Sequence, residues 1–206
     1  TLESDDVPPL SRVNGTLEFT ESSLTAKNIK AVALGAPLVF NLSSGKDKAI
    51  RIAARGKITD EFIQQNLGSK SSHYLSGNSE WVGNVLIQKP RVLMGLRADL
   101  LGIQSKLPAP LDKDASDRLS LRIDRKQDAN SDVISVNLGN RFGGKVTRTL
   151  ENGAFHLDRG VFNISNGTFN AGGNSVDGAY TSELEATAKG LYVFGNLDYL
   201  DADAWR

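Results

Sequence analysis

Apolar residues recur at every second position over most of this chain, and that period of two constrains the fold more than any other feature. Leu38, Phe40 and Leu42 share one side of an extended segment, and Ile50, Ile52 and Ala54 share one side of the next, with SSGKDK between them as a turn. Trp81, Gly83, Val85 and Ile87 alternate with polar partners until Lys89-Pro90 breaks the run. The stretch RVLMGLRADL sets Val92, Met94, Leu96, Ala98 and Leu100 against Arg91, Arg97 and Asp99. Leu119, Leu121 and Ile123 follow, then Ile134, Val136 and Leu138 after the polar turn KQDANSD. Successive side chains of a strand point to opposite faces, so this pattern predicts half-buried strands and excludes a helical protein.

The C-terminal third continues in the same way. Asn152-Gly153 and Asn166-Gly167 carry the signal for tight hairpin reversals. Leu184, Ala186 and Ala188, then Leu191, Val193, Gly195 and Leu197, predict the last strands. One segment departs from the pattern: TDEFIQQNLG has Thr59 or Asp60 to cap a helix, acidic residues in its first turn and Gly68 past its end. A second helix start falls at Asp201. The expected fold is mainly β, an antiparallel curved sheet with one or two short helices. An apolar face on such a sheet must be covered by a second sheet, by curling into a half-barrel or groove, or by a ligand. Periodicity does not choose among these. The 206 residues read as a single β-rich segment, with two fused lobes meeting near 88–92 as the variant.

KLPAPLDK, residues 106–113, spends two of the six prolines one residue apart. Pro108 has no N–H to give a ladder and is expected to end the strand carrying Ile103 and Leu107. Pro110 biases Ala109 away from helix, so the pair predicts a stiff exit into the DKDASD loop.

Little in the chain points to chemistry. Lys plus Arg and Asp plus Glu stand at 24 each, so no overall field attracts nucleic acid. With no cysteine there is no disulfide, thiol catalysis or cysteine zinc site. His73 and His156 lie in unlike contexts, and His156 has only Asp158 nearby at strand spacing. Asp198, Asp201 and Asp203 lack the Gly and closing Glu of a calcium loop, and helix capping accounts for them better. NLGNRFGGKV is glycine-rich but precedes no helix, so it reads as a strand turn and not a phosphate cradle. No catalytic motif is found, and no cofactor, metal site or enzymatic activity is expected. Arg51, Arg55, Arg97 and Arg122 fall on polar strand faces, where solvent is their default partner. No apolar run is long enough to cross a bilayer.

Four segments together resemble a known family: GTLEFTESSLTAKNIKAVALGAPLVFNL (15–42), YLSGNSEWVGNV (74–85), LRADLLGIQSKLPAPLDK (96–113) and GLYVFGNLDYLDADAW (190–205). In order and spacing they are similar to the C-terminal part of the YhdP proteins, large AsmA-like proteins of Gram-negative bacteria related to TamB. LPAPL is the most family-specific phrase, and the chain departs from the family's small residue at Asp112. The resemblance implies a segment of a longer protein anchored in the inner membrane by one N-terminal helix and extended through the periplasm. It implies a long apolar β-groove that shields phospholipid acyl chains between the two membranes, this segment itself being soluble. Implied partners are phospholipid, neighbouring segments of the same chain and envelope proteins. Groove candidates are the alternating residues Ile50, Ile52, Val85, Ile87, Met94, Leu96, Leu121, Ile123, Ile134 and Val136. The alternative is a closed β domain that binds or scaffolds periplasmic proteins, with the same residues forming its core.

Overall fold

The computed structural model describes residues 2–4, 7–68, 71–165 and 189–197. One sheet of thirteen strands holds almost all of it. Across the sheet lie β1 (Leu2–Ser4), β2 (Val7–Asn14), β4 (Leu24–Ala33), β5 (Ala36–Ser44), β6 (Ile50–Ile58), β8 (Ser79–Gln88) and β9 (Arg91–Ala98). The order continues through β11 (Leu121–Gln127), β12 (Ser131–Leu138), β13 (Phe142–Glu151), β14 (Ala154–Ser165) and β15 (Gly190–Asn196), while β3 (Leu17–Phe19) pairs onto β4. Chain order and spatial order nearly coincide because short turns join antiparallel neighbours. Leu34-Gly35 and Asn152-Gly153 each place two consecutive residues at positive φ, the geometry whose twist matches that of the flanking strands.

The sheet is not closed into a barrel. It is also not purely antiparallel. β15 runs parallel to β14, pairing Arg159 with Gly190 and Phe162 with Val193. A parallel neighbour needs a crossover of a dozen residues or more, and residues 166–189 supply that length. The predicted turn at Asn166-Gly167, the strand at Leu184–Ala188 and the helix start at Asp201 lie outside the described residues.

β6 displays the alternation most plainly. Ile50, Ile52, Ala54, Gly56 and Ile58 are half-buried, and Arg51, Ala53, Arg55 and Lys57 are exposed. A tight core forms where β4 and β5 meet β6: Ala26, Ile29, Ala31, Leu38 and Phe40 are buried there, with Leu10, Leu42 and Trp81 packed against them.

Helix α1 (Asp60–Leu67) forms where its sequence predicts it. The Thr59 hydroxyl accepts a hydrogen bond from the Phe62 N–H at 3.2 Å, Asp60 and Glu61 occupy the first turn, and Gly68 at φ 87° ends it. Asp60 also accepts from the Gly77 N–H at 2.7 Å, tying the helix to a two-stranded sheet of β7 (Leu75–Gly77) and β10 (Ile103–Ser105).

That small sheet corrects one expectation. Ile103 does not continue the alternation of β9 into a long strand through Leu107; β10 is short and lies in a separate sheet. Positive φ at Leu100 and Gly102 turns the chain out of the ladder, and Leu107 lies past the end of β10. A Cβ on Gly77 would sit 2.0 Å from the Gly102 carbonyl oxygen, so the two chains cross with no room for a side chain. KLPAPLDK then turns back so that Lys113 bridges to Ser105 at the end of β10, with Pro110 buried after a cis peptide. Lys113 is buried beside it and donates to the carbonyls of Ile103 (2.7 Å) and Asp114 (2.8 Å). Burial lowers the Lys113 pKa.

Candidate functional site

Antiparallel pairing brings directly opposite residues to the same face, so the register assembles the apolar positions into cross-strand rows. One row runs Phe40, Ala54, Gly83, Leu96, Ile123, Val136, Gly144 and Phe162, from β5 to β14 without a polar residue. A second runs Leu38, Gly56, Trp81, Ala98, Leu121, Leu138, Phe142 and Ile164, again wholly apolar. A third holds Leu42, Ile52, Val85, Met94, Ile134 and Val146, interrupted by Arg125. A fourth begins with Ile50, Ile87 and Val92 and ends in Gln127, Asp132 and Arg148. At 4.8 Å between strands, the eight-strand rows extend about 34 Å.

All ten residues singled out from the sequence fall on this one face. Each is half-buried: none is sealed in a core, and none stands fully in solvent. The face is well sheltered at β4 and β5 and again at Val92 and Asp132, which are fully buried on β9 and β12. At the β4 bulge near Asn28, a shallow concavity of about 610 Å³ is lined by positions of both faces, Leu42, Ile52 and Val85 of the apolar one and Asn41, Arg51 and Asn84 of the other, so it is not a feature of the apolar face alone.

Glycines and aromatic rings tile the face. A Cβ on Gly56 would come within 2.8 Å of the Trp81 ring, and one on Gly144 within 2.9 Å of the Phe162 ring. Phe162 stacks on Phe142 with ring centres 6.2 Å apart. The rings therefore lie down over bare backbone, which covers the glycines and keeps the surface low.

The charged members of the face form one cluster that sequence reasoning missed. Arg125 donates to both oxygens of Asp132, from Nε at 2.9 Å and from its terminal nitrogen at 3.2 Å, and also to Gln127. Arg148 donates to the same Asp132 carboxylate. Burial of Asp132 favours its neutral form, but hydrogen bonds and charge from the two guanidinium groups outweigh this and hold its pKa below the ordinary 3.8. The signal was available: Leu121-Ile123-Arg125 and Asp132-Ile134-Val136 are alternating sets in which a charge takes an apolar turn.

On the other face, Arg51, Arg55, Arg97 and Arg122 are exposed; Arg51 pairs with Asp47 and Arg122 with Asp124. His73 and His156 are exposed as well. Among the described residues, no group of three or more His, Asp or Glu is placed to hold a metal, and no helix is long and apolar enough to cross a membrane. The Asp198, Asp201 and Asp203 cluster lies outside the described residues.

Among the described residues the fold is a broad β-sheet, not closed into a barrel, with one predominantly apolar face. The chain belongs to the YhdP protein family, whose sequence model matches residues 2–206. No curated protein and no solved structure shows significant similarity to it.

Proposed function

We propose that this chain is a non-enzymatic segment of a periplasm-spanning, inner-membrane-anchored lipid-transfer protein, and that its apolar face shields phospholipid acyl chains passing between the inner and outer membranes. The observation that carries this is the pair of unbroken apolar rows crossing β5 to β14 on one face of a sheet that is not closed into a barrel. Removing hydrocarbon from water is worth about 0.8 kcal/mol per fully buried methylene, so an acyl chain of ordinary length costs more than about 10 kcal/mol in water and regains part of that on lying against such a surface. Conduction favours many similar sites over one deep pocket, and the rows supply similar sites. Membership of the YhdP family supports the envelope setting and the lipid.

The test is photocrosslinking in cells, with a photoreactive residue at Leu96 or at Val136 of the full-length protein. Capture of glycerophospholipid at both positions is the expected result. Capture of proteins alone sinks the conduit and favours a protein-binding module.

A further inference from the structure

We infer that the Asp132-bridged arginine pair is a binding station for the phosphate of a glycerophospholipid whose acyl chains lie on the adjoining apolar rows; this rests on the conduit reading and names the ligand chemistry at one place in it. Arg125, Asp132 and Arg148 are the only charged side chains in the four rows between β5 and β14, and together they carry one excess positive charge. Asp132 is fully buried and both its oxygens are engaged, so it has little left to accept with. The guanidinium groups are not used up in the same way. Arg148 Nε is buried and has no hydrogen-bond partner, while the side chain as a whole is 33% exposed and within reach of a ligand. Its guanidinium carbon lies 5.7 Å from the centre of the Phe155 ring, which limits where the group can swing.

A surplus of one charge and a guanidinium one-third exposed call for a monoanion rich in acceptors. A phosphodiester is that group, and guanidinium is suited to it. The surroundings fit the rest of the molecule. Leu150 and Leu157 stand exposed on the same face next to Arg148, and the apolar rows start one residue pair away. From β12 back to β5 those rows offer about 24 Å of hydrocarbon-covering surface, counted at 4.8 Å per strand. Stability alone gives no reason for the cluster, since buried ion pairs commonly contribute no more than well-packed apolar residues of the same volume.

The experiment uses this chain with a photoreactive residue at Leu96, offered phosphatidylglycerol or diacylglycerol of identical acyl chains in the same non-ionic detergent micelles. Capture of phosphatidylglycerol is expected to exceed that of diacylglycerol by about tenfold, the scale of one charge-assisted hydrogen bond. Arg148→Gln is expected to bring the ratio near one while diacylglycerol capture persists, and Arg148→Lys to restore part of the preference. Asp132 keeps its two-point contact with Arg125 in these variants, and a melting curve checks that they fold. Independently of any variant, inorganic phosphate is expected to compete with phosphatidylglycerol and not with diacylglycerol. Equal capture of both lipids by the unmodified chain overturns the station and leaves the conduit standing. A preference that survives Arg148→Gln and ignores inorganic phosphate also overturns it. Capture of neither lipid defeats the conduit, and the station with it.

Discussion

Asp132 is where opposing forces on a single side chain are most closely balanced. It is fully buried, which penalises its charge, yet its two arginine neighbours keep the carboxylate ionised. Its pKa is lower folded than unfolded, so it adds stability above the ordinary value of 3.8 and loses it as pH falls through the folded value. Denaturant unfolding followed from pH 7 to pH 3 is expected to show that loss. Asp132→Asn is expected to cost about 3 kcal/mol at pH 7, because two guanidinium groups are left without their shared anion, and to flatten the acid limb. A variant as stable as the parent at pH 7 means the cluster is not holding β11, β12 and β13 together. At the edge of the fold the scale is smaller: Thr59→Ala removes the cap hydrogen bond of α1 and is expected to lower stability by about 1 kcal/mol.

Strands, rather than single residues, determine how smooth the apolar face is. Gly56→Val places a side chain where the Trp81 ring now lies, so the ring is expected to stand up out of the sheet. A red shift of tryptophan emission and a loss of about 1–3 kcal/mol are the expected readouts. Gly144→Val does the same to Phe162 and is expected to reduce lipid capture at Val136, its neighbour in the row. Much of this level was legible in the sequence. The period of two marks which residues share a face of β6, β8, β9, β11 and β12, and the cap signals of α1 mark its ends. Pairing partners were not legible. Nothing local to GLYVFGN says that it lies parallel to β14, because direction is decided by the connection and not by the strand. Arg125 and Asp132 were visible as charges on an apolar face, but their joining with Arg148 depends on a ladder register that only the assembled sheet fixes.

For the whole molecule, the last described strand matters as much as the face. Among the described residues β15 is the last strand on one side of the sheet, and its Leu191 is 62% and its Val193 68% exposed, apolar surface that favours association with another such surface. The isolated chain is expected to self-associate with rising concentration, measured by sedimentation velocity. Val193→Lys is expected to shift it toward monomer; an unchanged distribution means association uses another surface.

The unbroken register from β5 to β13 bears on how fast anything could travel over this surface. A hydrocarbon tail advancing from β9 through β11 to β12 meets Leu96, Ile123 and Val136 in turn, aliphatic neighbours that differ by about one methylene, or 0.8 kcal/mol. Barriers that low are close to thermal energy, so progress over this stretch is a one-dimensional random walk on a shallow corrugation. Such a walk has no built-in direction; net flow follows whatever gradient of chemical potential is held between its ends.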